Sequence, residues 1–318
     1  MKSAFLPAGL VLAFIIAWLQ PLPGAQLKEA GLIPWMVVSI FLINGYQTNL
    51  SELPRSRIFL LAVLVGGLIN LVLSPFIGLA AASLAGLSVG ASLGLIVKAT
   101  VPSTLSTCIV LTQLSGGYAL WALVMTIVLN IVGVFSIPFM LQLTLEQAGA
   151  ISIDPLALLW KLMLMVLLPF LAGLLLRRLA TVDPQHLLLQ YLPSSCVILT
   201  VWMSLSSSSE VFAQLELKSL TLIALASVAV HLLLMLIAWL AGRLMRLEWQ
   251  ALVALVFTAS QKTLPVAVSV LAALNQSLGE ALLVCVTFHF LQLFIDSLLP
   301  GRIRRRMEGL SQQNRVNS

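Results

Sequence analysis

The chain has 318 residues, 60% of them apolar and 9% charged, whereas soluble domains run at about a quarter charged. A mean hydropathy of +1.07 leaves too little polar surface for a water-soluble fold, and no polar face on which the net charge of +6 could hold nucleic acid. That basic excess is therefore read as membrane topology. Cys108, Cys196 and Cys285 stand in apolar runs without a CxxC or a nearby histidine cluster, so structural thiols are expected and not a disulfide framework or zinc site. No cofactor is expected.

About 20 helical residues cross a hydrocarbon layer of about 30 Å. Ten apolar runs are read as crossing cores: Phe5 to Leu19, Leu32 to Tyr46, Ile58 to Leu84, Gly90 to Leu114, Ala119 to Leu141, Leu156 to Leu176, Leu192 to Leu205, Leu220 to Leu240, Ala251 to Leu274 and Ala281 to Leu299. The first resembles a secretory signal, with Lys2 ahead of it and small residues around Pro23, Gly24 and Ala25. It is counted as a span because the total is then even and divides into two fives. The expected fold is an all-α polytopic membrane protein embedded in the lipid bilayer.

On an alternating topology, one side carries Lys28 and Lys218, with Lys161 at a helix entrance. The other carries Lys2, Arg55, Arg57, Arg177, Arg178, Arg243, Arg246, Arg302, Arg304, Arg305, Arg306 and Arg315. The positive-inside rule places both termini in the cytoplasm, and a multi-pass plasma (inner) membrane protein is expected. The basic tail, 301–318, is expected at the anionic leaflet.

The polar loop from Thr144 to Pro155 falls near the middle of the chain and divides it into units 1–145 and 146–300. An odd number of spans per unit forces opposite orientations, the arithmetic of an inverted repeat, which many secondary transporters use. Such folds place discontinuous helices at corresponding positions. Span four carries Lys98, Pro102, Ser103, Thr104, Ser106 and Thr107; span nine carries Ser260, Gln261, Lys262, Thr263 and Pro265. Each lysine stands three or four residues before a proline. Proline removes a backbone donor and crowds the preceding turn, so carbonyls near Pro102 and Pro265 are expected to be free for ions. The alternative is an ordinary proline kink repaired by neighbouring hydroxyls.

Lys98 and Lys262 lie 10 to 12 residues from their helix entrances, about 15 to 18 Å deep at 1.5 Å per residue. Charge at that depth costs about 2.5 to 3.5 kcal/mol on insertion scales and marks a protein interior or aqueous cavity. Carboxylates are scarce at this level: Asp296 is placed toward the cytoplasmic end of span ten, and Glu146, Glu248 and Glu280 are read as loop residues. Two amines without central carboxylates favour a small organic anion as substrate. His231 and His289 lie inside spans eight and ten, as proton relays or as packing residues. A channel lacks a filter motif here, and a membrane-embedded enzyme lacks HExxH, GxSxG, a paired acidic motif or a P-loop. The pattern fixes no oligomeric state.

The strings VPSTLSTCIVLTQLSGG and NIVGVFSIP after span four, FTASQKTLPVAV in span nine and FLINGYQTNLSEL at the end of span two resemble the SBF-like branch of the bile acid:sodium symporter superfamily, over nearly the whole chain. That resemblance implies ten helices in two inverted five-helix repeats, helices four and nine unwound and crossing near the bilayer centre, and sodium-coupled transport of organic anions by alternating access. The binding segments it implies hold Lys98, Ser103, Thr104, Ser106, Thr107, Ser260, Gln261, Lys262 and Thr263. Two departures bear on coupling. Bile-acid-transporting members have a Ser-Asn pair where this chain has Thr107 and Cys108, and a Glu where it has Phe257 before Gln261 and Lys262. At least one sodium site is therefore expected to be lost, with Lys262 standing in for the ion, while Thr104, Thr107, Thr126 and Asn130 offer oxygens for a weaker one. Sodium and protons both stand as coupling ions, and a sodium-independent or proton-coupled exchanger is the alternative.

Overall fold

The structure is a computed structural model that describes residues 2–48, 54, 56–105, 107–147, 153–179, 183, 186–207, 216–274 and 279–303. Ser106, Arg55 and the tail beyond Ile303 lie outside the described residues. Everything regular in the described chain is helical: α1 Lys2–Leu19, α2 Pro21–Glu29, α3 Leu32–Gln47, α4 Arg57–Leu84, α5 Val89–Thr100, α6 Thr107–Leu114, α7 Ala119–Gln147, α8 Pro155–Leu179, α9 Leu187–Ser206, α10 Leu217–Leu244, α11 Trp249–Ser260, α12 Leu264–Ala273 and α13 Gly279–Ser297. Side-chain caps start several of them. Ser56 accepts from Phe59 N and Ser88 from Ala91 N, and Asp154 accepts from two amides of the first turn of α8, satisfying donors a helix leaves bare.

Among the described residues, seven helical segments are long and apolar enough to cross a membrane, and α1 with α2, bent by 101°, makes an eighth if the pair is one span. With 16 and 12 residues, α3 and α5 are shorter. Large apolar side chains such as Leu60, Leu64, Trp160, Leu168 and Leu225 face outward and are exposed, while Asn70, Lys98, Gln261, Lys262, His231, Gln292 and Asp296 are buried. This polarity suits a hydrocarbon surround. Glu146 and Glu280, read as loop residues, lie within α7 and α13.

Several helix boundaries recur at one fixed offset. A shift of 160 residues takes Arg57 to Leu217, Leu84 to Leu244, Val89 to Trp249, Thr100 to Ser260 and Ala119 to Gly279, each pair a matching helix boundary. The turn that follows the 28-residue helix is also the same: Gly86 at φ 58° and Arg246 at φ 54°, with Leu87 N bonded to Ala82 O and Leu247 N to Gly242 O. A left-handed residue closing a helix is usually glycine, and Arg246 is the one non-glycine with positive φ among the described residues.

Packing runs crosswise between segments related by that shift, with α1 against α9 and α3 against α8, and with α5 against α13 and α11 against α7. The α3–α8 contact is backbone on backbone. A Cβ added to Gly45 would stand 2.0 Å from Phe170 O, and one on Gly173 would stand 2.0 Å from Leu42 O; such small-residue crossings let helices approach closely in lipid. One apolar core joins α1, α3, α8 and α9 to α12, and a second joins α4 and α10 to α5 and α11. The ends of α5 and α11 meet between them.

Candidate functional site

Two helices stop inside the protein. After Thr100 the backbone leaves the helix at Val101 (φ −70°, ψ 153°), and after Ser260 it leaves at Gln261 (φ −72°, ψ 148°). The first interruption runs to α6 at Thr107 and the second only to α12 at Leu264. Pro102 lies within its interruption, whereas Pro265 does not. It occupies the first turn of α12, where proline's missing donor is no loss, so Gln261, Lys262 and Thr263 form the gap. The lysine pairing read from the sequence also changes: Lys98 sits in the last turn of α5 and Lys262 in the extended link, positions that the fixed offset does not superpose.

The two links touch directly. Thr263 N donates to Pro102 O at 2.8 Å, and Lys98 Nζ to Lys262 O at 3.0 Å. Lys262 N donates to Gln292 Oε1 at 2.8 Å, and Lys262 Nζ to Asn70 O at 2.5 Å. Asn70 sits in a π turn, Leu68–Leu73, within α4, and its Nδ2 reaches Ala259 O at 2.9 Å and Gln261 O at 3.1 Å. Ser74 Oγ donates to Ala99 O at 2.7 Å. Side chains from α4 and α13 thus replace the helical hydrogen bonds forgone at the gap, which buried backbone requires.

Gln261 is the hub. Its Oε1 accepts from Thr104 Oγ1 at 2.6 Å and Thr107 Oγ1 at 2.9 Å, and its Nε2 donates to Asp296 Oδ2 at 2.7 Å. Asp296 Oδ1 in turn lies 2.8 Å from His231 Nε2. The scarcity of carboxylates expected from the sequence is therefore corrected: Asp296 reaches the crossing, because α13 runs beside it. Beyond Thr107, Cys108 Sγ lies 3.1 Å from Thr126 Oγ1, and Asn130 Nδ2 donates to Ser103 O at 2.9 Å and Thr126 O at 2.8 Å. Ser103 Oγ and Asn130 Oδ1 are buried acceptors without a partner among the described residues.

Of the residues singled out by sequence, Lys98, Ser103, Thr104, Thr107, Gln261, Lys262 and Thr263 gather here, with Thr126 and Asn130 behind them. Ser260 does not take part, its hydroxyl donating to Val256 O one turn back in its own helix. Asn70, Gln292 and Asp296 were not singled out as site residues, and His231 was read only as a proton relay or packing residue. Asn70 and Asp296 each carried a signal, a polar side chain within an apolar run.

A cavity of about 80 Å³ opens beside the crossing. Its polar wall is Asn44, Thr104, Thr107, Ser194, Thr263 and His289, and its apolar wall includes Leu6, Ile40 and Phe41. His289 is 2% exposed, and neither ring nitrogen has a partner among the described residues. A buried polar group without a partner is costly unless a ligand or water completes it. Cys108, Cys196 and Cys285 are free and buried.

The family model of the SBF-like CPA transporter family matches residues 4–305. A rice protein (Oryza sativa subsp. indica) named "Probable sodium/metabolite cotransporter BASS4, chloroplastic" is 28% identical over 96% of this chain and 76% of its own length. The Arabidopsis thaliana protein of the same name is 28% identical over 67% of this chain and 52% of its own length. A Pseudomonas aeruginosa relative named "Uncharacterized protein PA2026" is 29% identical over 68% of this chain and 66% of its own length. The chain is a transporter and not an enzyme, and it belongs to the SBF-like CPA transporter family within the bile acid:sodium symporter superfamily.

Proposed function

We propose that the protein moves a small organic anion across the plasma (inner) membrane by alternating access, as a cation-coupled secondary transporter. Its ten helical spans form two inverted repeats, 1–145 and 146–300, with both termini and the 301–318 tail in the cytoplasm. The equal helix lengths at a shift of 160 residues and the crosswise packing support the repeat, and two pseudo-symmetric halves give two equivalent states facing opposite sides.

The observation that carries the reading is the cavity beside two touching helix interruptions, where His289 presents unpartnered ring nitrogens and Thr104, Thr107 and Thr263 present polar groups. Hydrogen-bond donors on an otherwise apolar wall suit a carboxylate or sulfonate with an apolar body. The lysine amines set the coupling. Where the bile-acid-transporting pattern holds a Glu, this chain has Phe257, and the Lys262 amine, bonded to Asn70 O, takes the place of a coupling cation.

A second reading keeps one sodium. It rests on the bare oxygens of Ser103 and Asn130 beside Thr126, close to Thr104 and Thr107, and on the word sodium in the rice relative's name. The test is a thermal-shift screen of small carboxylates and sulfonates in sodium and in potassium buffer, followed by counterflow of the best binder in proteoliposomes. A ligand that binds the folded state raises the transition temperature, and saturable counterflow is expected. Equilibration without counterflow would mean a channel and overturn the reading.

A further inference from the structure

Behind the cavity lies an ionisable pair that anion binding does not use. His231 on α10 and Asp296 on α13 are 1% and 0% exposed, 2.8 Å apart, and Asp296 is the one buried carboxylate among the described residues. The His231 ring stands edge-on to Phe288, at 6.4 Å between centroids, and its Nδ1 has no partner among the described residues. The pair is not isolated: a continuous chain of hydrogen bonds runs from it through Gln261 to Thr104 and Thr107 on the cavity wall.

We propose that His231 and Asp296 form a proton-binding site wired through Gln261 to the cavity, so that taking up a proton releases one hydroxyl of the Thr104 and Thr107 pair to bind the anion. The coupling half of this inference rests on the transporter reading; the proton site does not. One proton from water binds His231 Nδ1 as the Nε2 proton passes to Asp296 Oδ1, the N–H bond at Nε2 breaking as the O–H bond forms, so that both groups end neutral. It removes the negative charge that Gln261 Nε2 faces, and a hydrogen bond to a charged acceptor is about twice as strong as one between neutral groups. The Gln261 amide is then held less firmly; the Thr104 and Thr107 hydroxyls, 2.6 Å from each other, keep one hydrogen bond between them, and the other hydroxyl hydrogen becomes free to donate into the cavity. Removing a negative charge behind the wall favours an anion in the cavity in the same direction. Linkage is reciprocal, so the anion also tightens proton binding, the sign required for proton and anion to travel together.

The other titratable groups on the surrounding elements are few. Lys218 and Arg243 lie near the ends of α10, Arg57 at the start of α4, Glu280 at the start of α13 and Lys98 in the last turn of α5; α11 carries none. Closer in, α13 also bears Cys285 and His289, α6 bears Cys108, and Lys262 follows Gln261 directly.

The experiment uses the full chain in proteoliposomes without substrate, with two readouts followed from about pH 8 to about pH 5. Infrared difference spectra report carboxyl protonation, and maleimide labelling of Cys108, quantified by peptide mass spectrometry, reports opening at Thr104, whose carbonyl holds the Cys108 thiol. Thiolate is the reactive form, so acid alone slows labelling; a rise of about tenfold on acidification is expected only if the junction loosens. In wild type, a buried carboxyl signal and the labelling rise titrate together. Asp296→Asn loses both, Asp296→Glu recovers both, and Gln261→Leu keeps the carboxyl signal while losing the labelling rise. The proposal is overturned if wild-type labelling does not rise, if the carboxyl signal survives Asp296→Asn, or if Gln261→Leu labels like wild type. Should Asp296→Asn fail to fold, the wild-type and Gln261→Leu arms still decide. Absence of counterflow with these steps intact would remove the transport reading and leave the proton site standing.

Discussion

Asn70→Leu isolates the scaffold of the crossing from its chemistry, since leucine keeps the volume and removes the amide. Nδ2 carries two hydrogens, directed at Ala259 O and Gln261 O, the carbonyls exposed where α11 stops. The Lys262 contact survives, because it is made to the Asn70 main-chain oxygen. Stranding two buried carbonyls costs about 1–3 kcal/mol each, and deleting Asn70 Oδ1, itself buried without a partner among the described residues, returns about 1–3 kcal/mol. The net loss expected is about 1–3 kcal/mol. Asn70→Asp loses the same donors and sets a carboxylate against carbonyl oxygens, so it is expected to be less stable than the leucine variant. Denaturant titration in mixed micelles, followed by circular dichroism, ranks the three proteins. An Asn70→Leu variant within about 0.5 kcal/mol of wild type, or an aspartate variant more stable than it, would refute the claim that this amide satisfies the broken helix.

Gly45→Ala and Gly173→Ala each place a methyl 2.0 Å from a carbonyl oxygen of the facing helix, so α3 and α8 must separate; a loss of about 1–3 kcal/mol is expected for each. Gly301→Ala, with nothing within 4 Å of the added Cβ, serves as the neutral control in the same denaturation assay, and equal behaviour of all three would count against the close crossing. Lys262→Met removes the donor to Asn70 O while keeping the stem; uptake of the screened anion in sodium-free medium is expected to persist in wild type and to fall at least tenfold in the variant, about 1.4 kcal/mol or more. Wild-type uptake that drops to background without sodium would show that the amine does not replace the ion.

The helices and their approximate ends were legible in the sequence because they depend on local quantities: the length of an apolar run, and a proline beside a cluster of hydroxyls. The interruption in span four was found at Pro102 for the same reason, and the segment around Gln261 was found although Pro265 proved to begin the next helix and not to sit in the gap. What meets what was not local. The backbone of Lys262 is completed by Lys98, 164 residues away, and its amine by Asn70, 192 residues away; Gln261 finds Asp296 across 35 residues. Such contacts depend on how each helix is rotated about its axis, and a uniformly apolar run carries little information about rotation in lipid, where no face need be polar. Sequence alone therefore determined that the chain is helical, membrane-embedded and interrupted near its lysines. Only the packed structure decided that the gap is satisfied by α4 and α13, and that a histidine–aspartate pair stands behind the cavity.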